Sequence, residues 1–71
     1  MSSFKERLKY VREKEARLTQ SEAAAKAGFP AAVWSFYETG SRTPGMENLR
    51  GICAALNVSA DYLIGLKNSP P

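Results

Sequence analysis

Nucleophile and base chemistry has little to work with in this chain. Histidine is absent, Cys53 is the single cysteine, and the seven carboxylates are scattered, mostly among basic neighbours. There is no nucleophile elbow, no phosphate-cradling glycine loop and no Cys/His metal cluster. No enzyme, metal site, cofactor or small-molecule substrate is therefore expected. One cysteine closes no disulfide within the chain. Cys53 lies on an apolar stretch, which reads as a small buried hydrophobe rather than a reactive thiol. What the chain does carry is positive charge: ten Lys and Arg against seven Asp and Glu, a net +3. Six of the ten, Lys5, Arg7, Lys9, Arg12, Lys14 and Arg17, precede Leu18, and none falls between Lys26 and Arg42. This excess is compatible with a nucleic-acid partner. Most of the N-terminal charges read as a solvated helix face, with one or two left to meet phosphate.

The elements that would position such charges are helical. Seventy-one residues allow one domain with a small core. Ser2 or Ser3 can cap a first helix that runs to about Glu15, with Phe4, Leu8 and Val11 on one stripe and Lys9 paired with Glu13. Leu18 points inward. Thr19 with Glu22 has capping-box spacing, and Ala23, Ala24, Ala25 and Ala27 favour a helix that a neighbour can approach closely. Gly28 suits a left-handed C-cap, and Pro30 suits the first position of the next helix. Val33, Trp34 and Tyr37 recur at helical spacing, with Trp34 and Tyr37 as core residues; Phe36 points elsewhere and is expected to be exposed. Gly40 ends this run. Two short helices joined by a glycine turn form a helix-turn-helix, whose second helix can enter a DNA major groove.

The segment after Gly40 is a loop containing Arg42 and the turn pair Pro44 and Gly45. A fourth helix starts near Gly45 or Met46, with Met46, Leu49, Ile52, Cys53 and Leu56 on its apolar side, and stops at Asn57. Ser59 caps a short last helix carrying Asp61, Tyr62 and Leu63. Residues 1–66 form the domain, and 67–71 are a mobile tail or the start of a linker. No apolar run approaches membrane-spanning length and no signal region opens the chain, so a cytoplasmic location is expected.

The order and spacing of Leu18, Thr19, Gln20, Ala24, Gly28, Ser35, Glu38, Gly40, Pro44, Glu47, Asn48, Leu49, Ala55, Leu56, Asn57, Val58, Ser59, Asp61, Tyr62 and Leu63 resemble the lambda-repressor-like DNA-binding domain of the Cro/CI or Xre type. The resemblance runs from about Phe4 to Leu66. It implies an all-α, compact five-helix domain, with helices 2 and 3 forming the helix-turn-helix and helix 3, about 31–38, lying in the major groove. It also implies a bacterial or phage-encoded regulator, of repressor type, that binds double-stranded DNA as a homodimer on a near-palindromic operator.

Residue by residue, Ala31, Ala32, Ser35 and Phe36 match the family's base-facing positions. Gln20 matches the glutamine that contacts a phosphate and braces the recognition helix. Thr19 beside it and Arg42 in the following loop match phosphate-contact regions. Glu38 matches a structural glutamate that pairs with a first-helix arginine, here Arg12. Two departures stand out. The turn after the first helix is about one residue longer than usual and lacks the usual glycine. The base-facing set is also poor in hydrogen-bonding groups. Ala and Phe contact thymine methyls, and Ser discriminates weakly. Two readings follow: readout of methyls and groove shape, with phosphates supplying affinity, or a protein-interaction module that kept the fold and lost DNA binding, with Phe36 as a sticky patch. Tyr62, Ile64 and Leu66 form the candidate dimer surface, with Tyr62 and Leu63 alternatively closing the core.

Overall fold

Ser3 starts the first helix by accepting the Glu6 backbone N–H on its hydroxyl, while the Glu6 carboxylate takes the Ser3 backbone N–H at 2.8 Å. This reciprocal pair satisfies two of the donors that a helix N-terminus leaves without partners. A computed structural model describes residues 3–68. Its elements are α1 (Phe4–Tyr10), continued by a π-helical segment (Val11–Glu15), then α2 (Gln20–Ala27), α3 (Ala31–Thr39), α4 (Met46–Leu56) and α5 (Ala60–Leu63). There are five α-helices and no strand among the described residues. This is the all-α, five-helix arrangement that the sequence implies. Ser2, the other candidate cap, lies outside the described residues, as do positions 69–71 of the expected tail.

The helical stretch ends near Glu15 as expected, but its last turn is wider than an α-helix. Ala16 N–H reaches Val11 O at 2.8 Å and Leu18 N–H reaches Arg12 O at 3.0 Å. The additional residue noted in the sequence is taken up by this π turn, so Leu8 and Val11 stay buried. Arg17 then reverses the chain at φ 55°, the left-handed conformation that glycine adopts without penalty. Glu13 does not serve Lys9 as supposed. It lies 3.4 Å from Arg12.

Thr19 caps α2 with the capping box expected from Glu22, and Gly28 ends it at φ 95°. Pro30 precedes α3 as its N-cap, in extended conformation, rather than occupying the first helical position. A proline one residue earlier still contributes its fixed φ, and its missing N–H costs no hydrogen bond. Gly45 caps α4, Asn57 closes it in the left-handed region at φ 53°, and the Ser59 hydroxyl accepts from the Tyr62 N–H to start α5.

In the core, α2 packs on α3 and α4, while α1 packs on α3 and α5. Trp34 is 0% exposed, and Leu8, Val11, Ile52 and Leu63 are its fully buried companions. Phe29, in the turn between α2 and α3, stacks on Trp34 at 5.8 Å between centroids and meets Tyr37 edge-on at 5.6 Å. Aromatic pairs in such geometries add roughly 0.5–1.5 kcal/mol beyond burial. The Tyr37 hydroxyl accepts from the Asn48 amide at 2.8 Å, tying α3 to α4 as well.

Two expectations need correction. Tyr62 is 8% exposed and its ring lies under the Arg7 guanidinium, so it belongs to the core and not to an outer surface. Ile64 and Leu66 do face outward, at 55% and 73% exposure. Cys53 is half-buried rather than enclosed, although the burial it has pushes its thiol pKa up and away from reactivity. Arg7 also donates to Tyr62 O and Lys67 O, each at 2.7 Å, so the first residue of the expected tail has its backbone held against α1.

Candidate nucleic-acid interface

The α2–α3 pair is held at one side chain. Glu38, in the last turn of α3, receives Arg12 Nε at 2.5 Å and Arg12 Nη2 at 3.0 Å from the π segment. It also receives the Gln20 amide at 2.9 Å from the start of α2 and the Trp34 indole N–H at 2.6 Å from one turn back. Arg12 spends a further donor on Leu18 O at 2.9 Å. Burial alone would push the Glu38 carboxyl up. The hydrogen bonds from Arg12, Trp34 and Gln20, with the guanidinium charge, outweigh it and hold the group below the usual carboxylate range. Arg12 is held correspondingly above the ordinary arginine value, first by its hydrogen bonds to Glu38. Two segments distant in sequence, joined by Trp34 from one turn back on the same helix, therefore converge on one carboxylate, and each of these hydrogen bonds is charge-assisted.

With its inner side locked, α3 turns its other side outward. Ala32 and Phe36 are exposed, and Ser35 is half-buried. Ala31 is also half-buried and packs partly against the core, so the outward face is made mainly by Ala32, Ser35 and Phe36. Thr19 is exposed at the α2 N-terminus, with its oxygen engaged as the cap. Gln20 is half-buried, so its amide braces α3 from a position at the start of α2. Arg42 is exposed, and its guanidinium lies 4.4 Å over the Phe36 ring centroid. The outward face of α3, which has no charged residue of its own, thus acquires a cation from the loop that follows it.

Three parts of this site escaped sequence reasoning. Lys5 lies beside Gly40, where an added Cβ would come within 3.0 Å of its side chain. This brings one of the six N-terminal cations to the C-terminal end of α3, where a helix dipole favours positive charge. No local sequence signal marks it, because the approach is purely tertiary. The Trp34 donation to Glu38 was readable as an i,i+4 pair on one helix. Gly51 is the third: a Cβ there would come 2.5 Å from Ala27 O, so α4 approaches α2 with backbone nearly in contact. Among the described residues no three His, Cys, Asp or Glu side chains are grouped to hold a metal, and no helix is long and apolar enough to cross a membrane.

Comparison with known proteins bears on the same elements. A family described as Helix-turn-helix matches residues 8–63. The HTH-type transcriptional regulator YqaE of Bacillus subtilis (strain 168) is 43% identical over 61 residues, covering 86% of this chain and 52% of that protein. The HTH-type transcriptional regulator YobD of the same organism is 32% identical over 65 residues, covering 92% of this chain and 57% of that protein. The chain thus spans about half the length of the curated relatives it matches. Among solved structures, the P22 c2 repressor in complex with synthetic operator 9T, in the presence of Tl+, superposes with a TM-score of 0.86 at 27% identity. That match covers 94% of this chain and all of the repressor chain. With the matched segment spanning the π turn, the Glu38 cluster and α3, the chain belongs to the lambda-repressor-like helix-turn-helix family of DNA-binding transcriptional regulators.

Proposed function

We propose that this chain is a sequence-specific double-stranded DNA-binding regulator, a repressor of phage or prophage type, that places α3 in the major groove. The observation that carries this is the Glu38 cluster. It fixes α3 against α2 so that Ala32, Ser35 and Phe36 stand outward together, with cations at the rim of the same face. Ala32 and Phe36 present apolar surface suited to thymine methyls, Ser35 adds one adaptable hydroxyl, and Thr19, Gln20 and Arg42 reach phosphate. Ala31 supports the start of the helix. Groove shape and phosphate contacts then supply most of the affinity.

The protein-interaction alternative rests on an exposed Phe36 beside two alanines, and the ring is exposed. It also carries the Arg42 guanidinium, which makes this edge of the face cationic and favours a polyanion. On DNA the domain pairs as a homodimer across a near-palindromic operator, the usual arrangement for a module that covers half a site. The outward Ile64 and Leu66 offer apolar surface for that pairing. A regulator of this kind works beside the chromosome, in the cytoplasm of a bacterial host.

Gln20→Ala and Arg42→Ala test the phosphate assignments. Each is expected to weaken binding to every duplex by a similar factor, with sequence preference unchanged. If both variants bind all duplexes as tightly as the parent, the assignments are wrong.

A further inference from the structure

No cation lies within α3, so charge reaches its exposed face only from elsewhere. Arg42 is the nearest in sequence, and an exposed arginine in a loop ordinarily samples many rotamers. Here the loop is folded back on the helix. Arg42 N–H reaches Phe36 O at 3.3 Å, and the Thr39 hydroxyl donates to the same carbonyl at 3.2 Å. The Thr39 and Ser41 hydroxyls are 2.9 Å apart, and Gly40 turns the chain at φ 83°. Phe36 therefore receives Arg42 twice, by backbone at its carbonyl and by side chain over its ring.

We propose that Phe36 is a positioning residue: its ring holds the Arg42 guanidinium at the C-terminal edge of α3, where that charge meets a DNA phosphate. This rests on the DNA-binding reading above and adds a role for Phe36 beyond contact with bases. A guanidinium held over a ring by its charge keeps N–H groups free for a further partner. Those groups form the fork that suits a phosphate. No carboxylate among the described residues lies within salt-bridge distance of Arg42 to compete for them. The ring also replaces a flexible search by a prepared geometry, which strengthens binding without adding a contact.

The test separates charge from ring. Binding of the parent and of Phe36→Ala, Phe36→Leu, Phe36→Tyr, Arg42→Ala and the double variant Phe36→Ala/Arg42→Ala is measured on a mixed-sequence duplex by fluorescence anisotropy. Salt runs from about 50 to about 200 mM. Arg42→Ala lowers the slope of log K against log salt by about 0.9, one phosphate contact. Phe36→Ala removes no charge, yet is expected to lose at least about half of that slope and about two- to fivefold in affinity. Phe36→Leu keeps apolar bulk and behaves as Phe36→Ala, whereas Phe36→Tyr keeps the ring and the parent slope. The double variant matches Arg42→Ala.

A full parental slope in Phe36→Ala and Phe36→Leu overturns the proposal and leaves Phe36 as a base-contact residue only. A sequence preference in Arg42→Ala that differs from the parent's, read by selection from a randomised duplex pool, overturns it too, because the guanidinium would then read a base. No salt-dependent binding by the parent overturns the DNA reading itself, a result distinct from both.

Discussion

Glu38 shows how much one carboxylate can organise. It collects donors from Arg12, Gln20 and Trp34, and its side chain is 4% exposed beside an arginine side chain at 9%. Removing the charge leaves a desolvated guanidinium with only Leu18 O and the exposed Glu13 carboxylate as partners, which costs about 2–4 kcal/mol. Its folded pKa lies below the ordinary 4.5, so above that value both folded and unfolded states are ionised and the stabilisation is complete. As pH falls below 4.5 the unfolded chain takes up the proton first, and the contribution is lost until the folded carboxyl titrates too. Glu6 and Glu22, lowered first by backbone hydrogen bonds in the two capping boxes, act in the same direction. Glu38→Gln should therefore be less stable at neutral pH and lose less stability as pH falls below 4.5. Urea midpoints measured above and below that pH check it, and parallel curves for parent and variant would refute it. The pairing of Glu38 with Arg12 was available from family resemblance alone. The Trp34 donor was open to periodicity. The meeting of Phe36 with Arg42 was not, since it depends on how the loop returns.

At the scale of elements, the caps were the most legible feature, because Thr19, Gly28, Gly40, Asn57 and Ser59 act through their own backbone or the next turn. The π turn was not. The sequence showed one residue too many and no glycine, but whether the chain would bulge, loop out or widen depends on keeping Leu8 and Val11 in the core while Arg12 reaches Glu38. Arg17 takes the left-handed position in place of glycine, and its side chain stays exposed while doing so. Gly51 hid for a related reason: helix propensity marks it as a weak point in α4, and only the packing reveals its use. Gly51→Ala gains about 1 kcal/mol of propensity. It also drives a methyl into Ala27 O, so a net loss of about 1–3 kcal/mol is expected. Gly28→Ala meets nothing within 4 Å and pays only for its positive φ, about 1–2 kcal/mol. Thermal unfolding of the two variants beside the parent compares them. An unchanged or raised Tm for Gly51→Ala would show that α2 and α4 are not in close contact.

For the whole molecule, fold class and the order of helices followed from periodicity and turn residues. The chemistry of the face did not, because a bare α3 fits either nucleic acid or protein until the surrounding charges are placed. Lys5, Arg42 and the outward Phe36 come to one edge only through the tertiary fold. The central claim is that this edge and the Ala32, Ser35 and Phe36 face read DNA through methyls and shape, with phosphates supplying affinity. Selection of this chain against a randomised duplex pool, with anisotropy across a salt series, tests it most directly. A steep salt slope with an enriched, T-rich near-palindrome is the predicted result. A flat response at low salt, with no sequence enriched, would contradict it and return the exposed face of α3 to protein recognition.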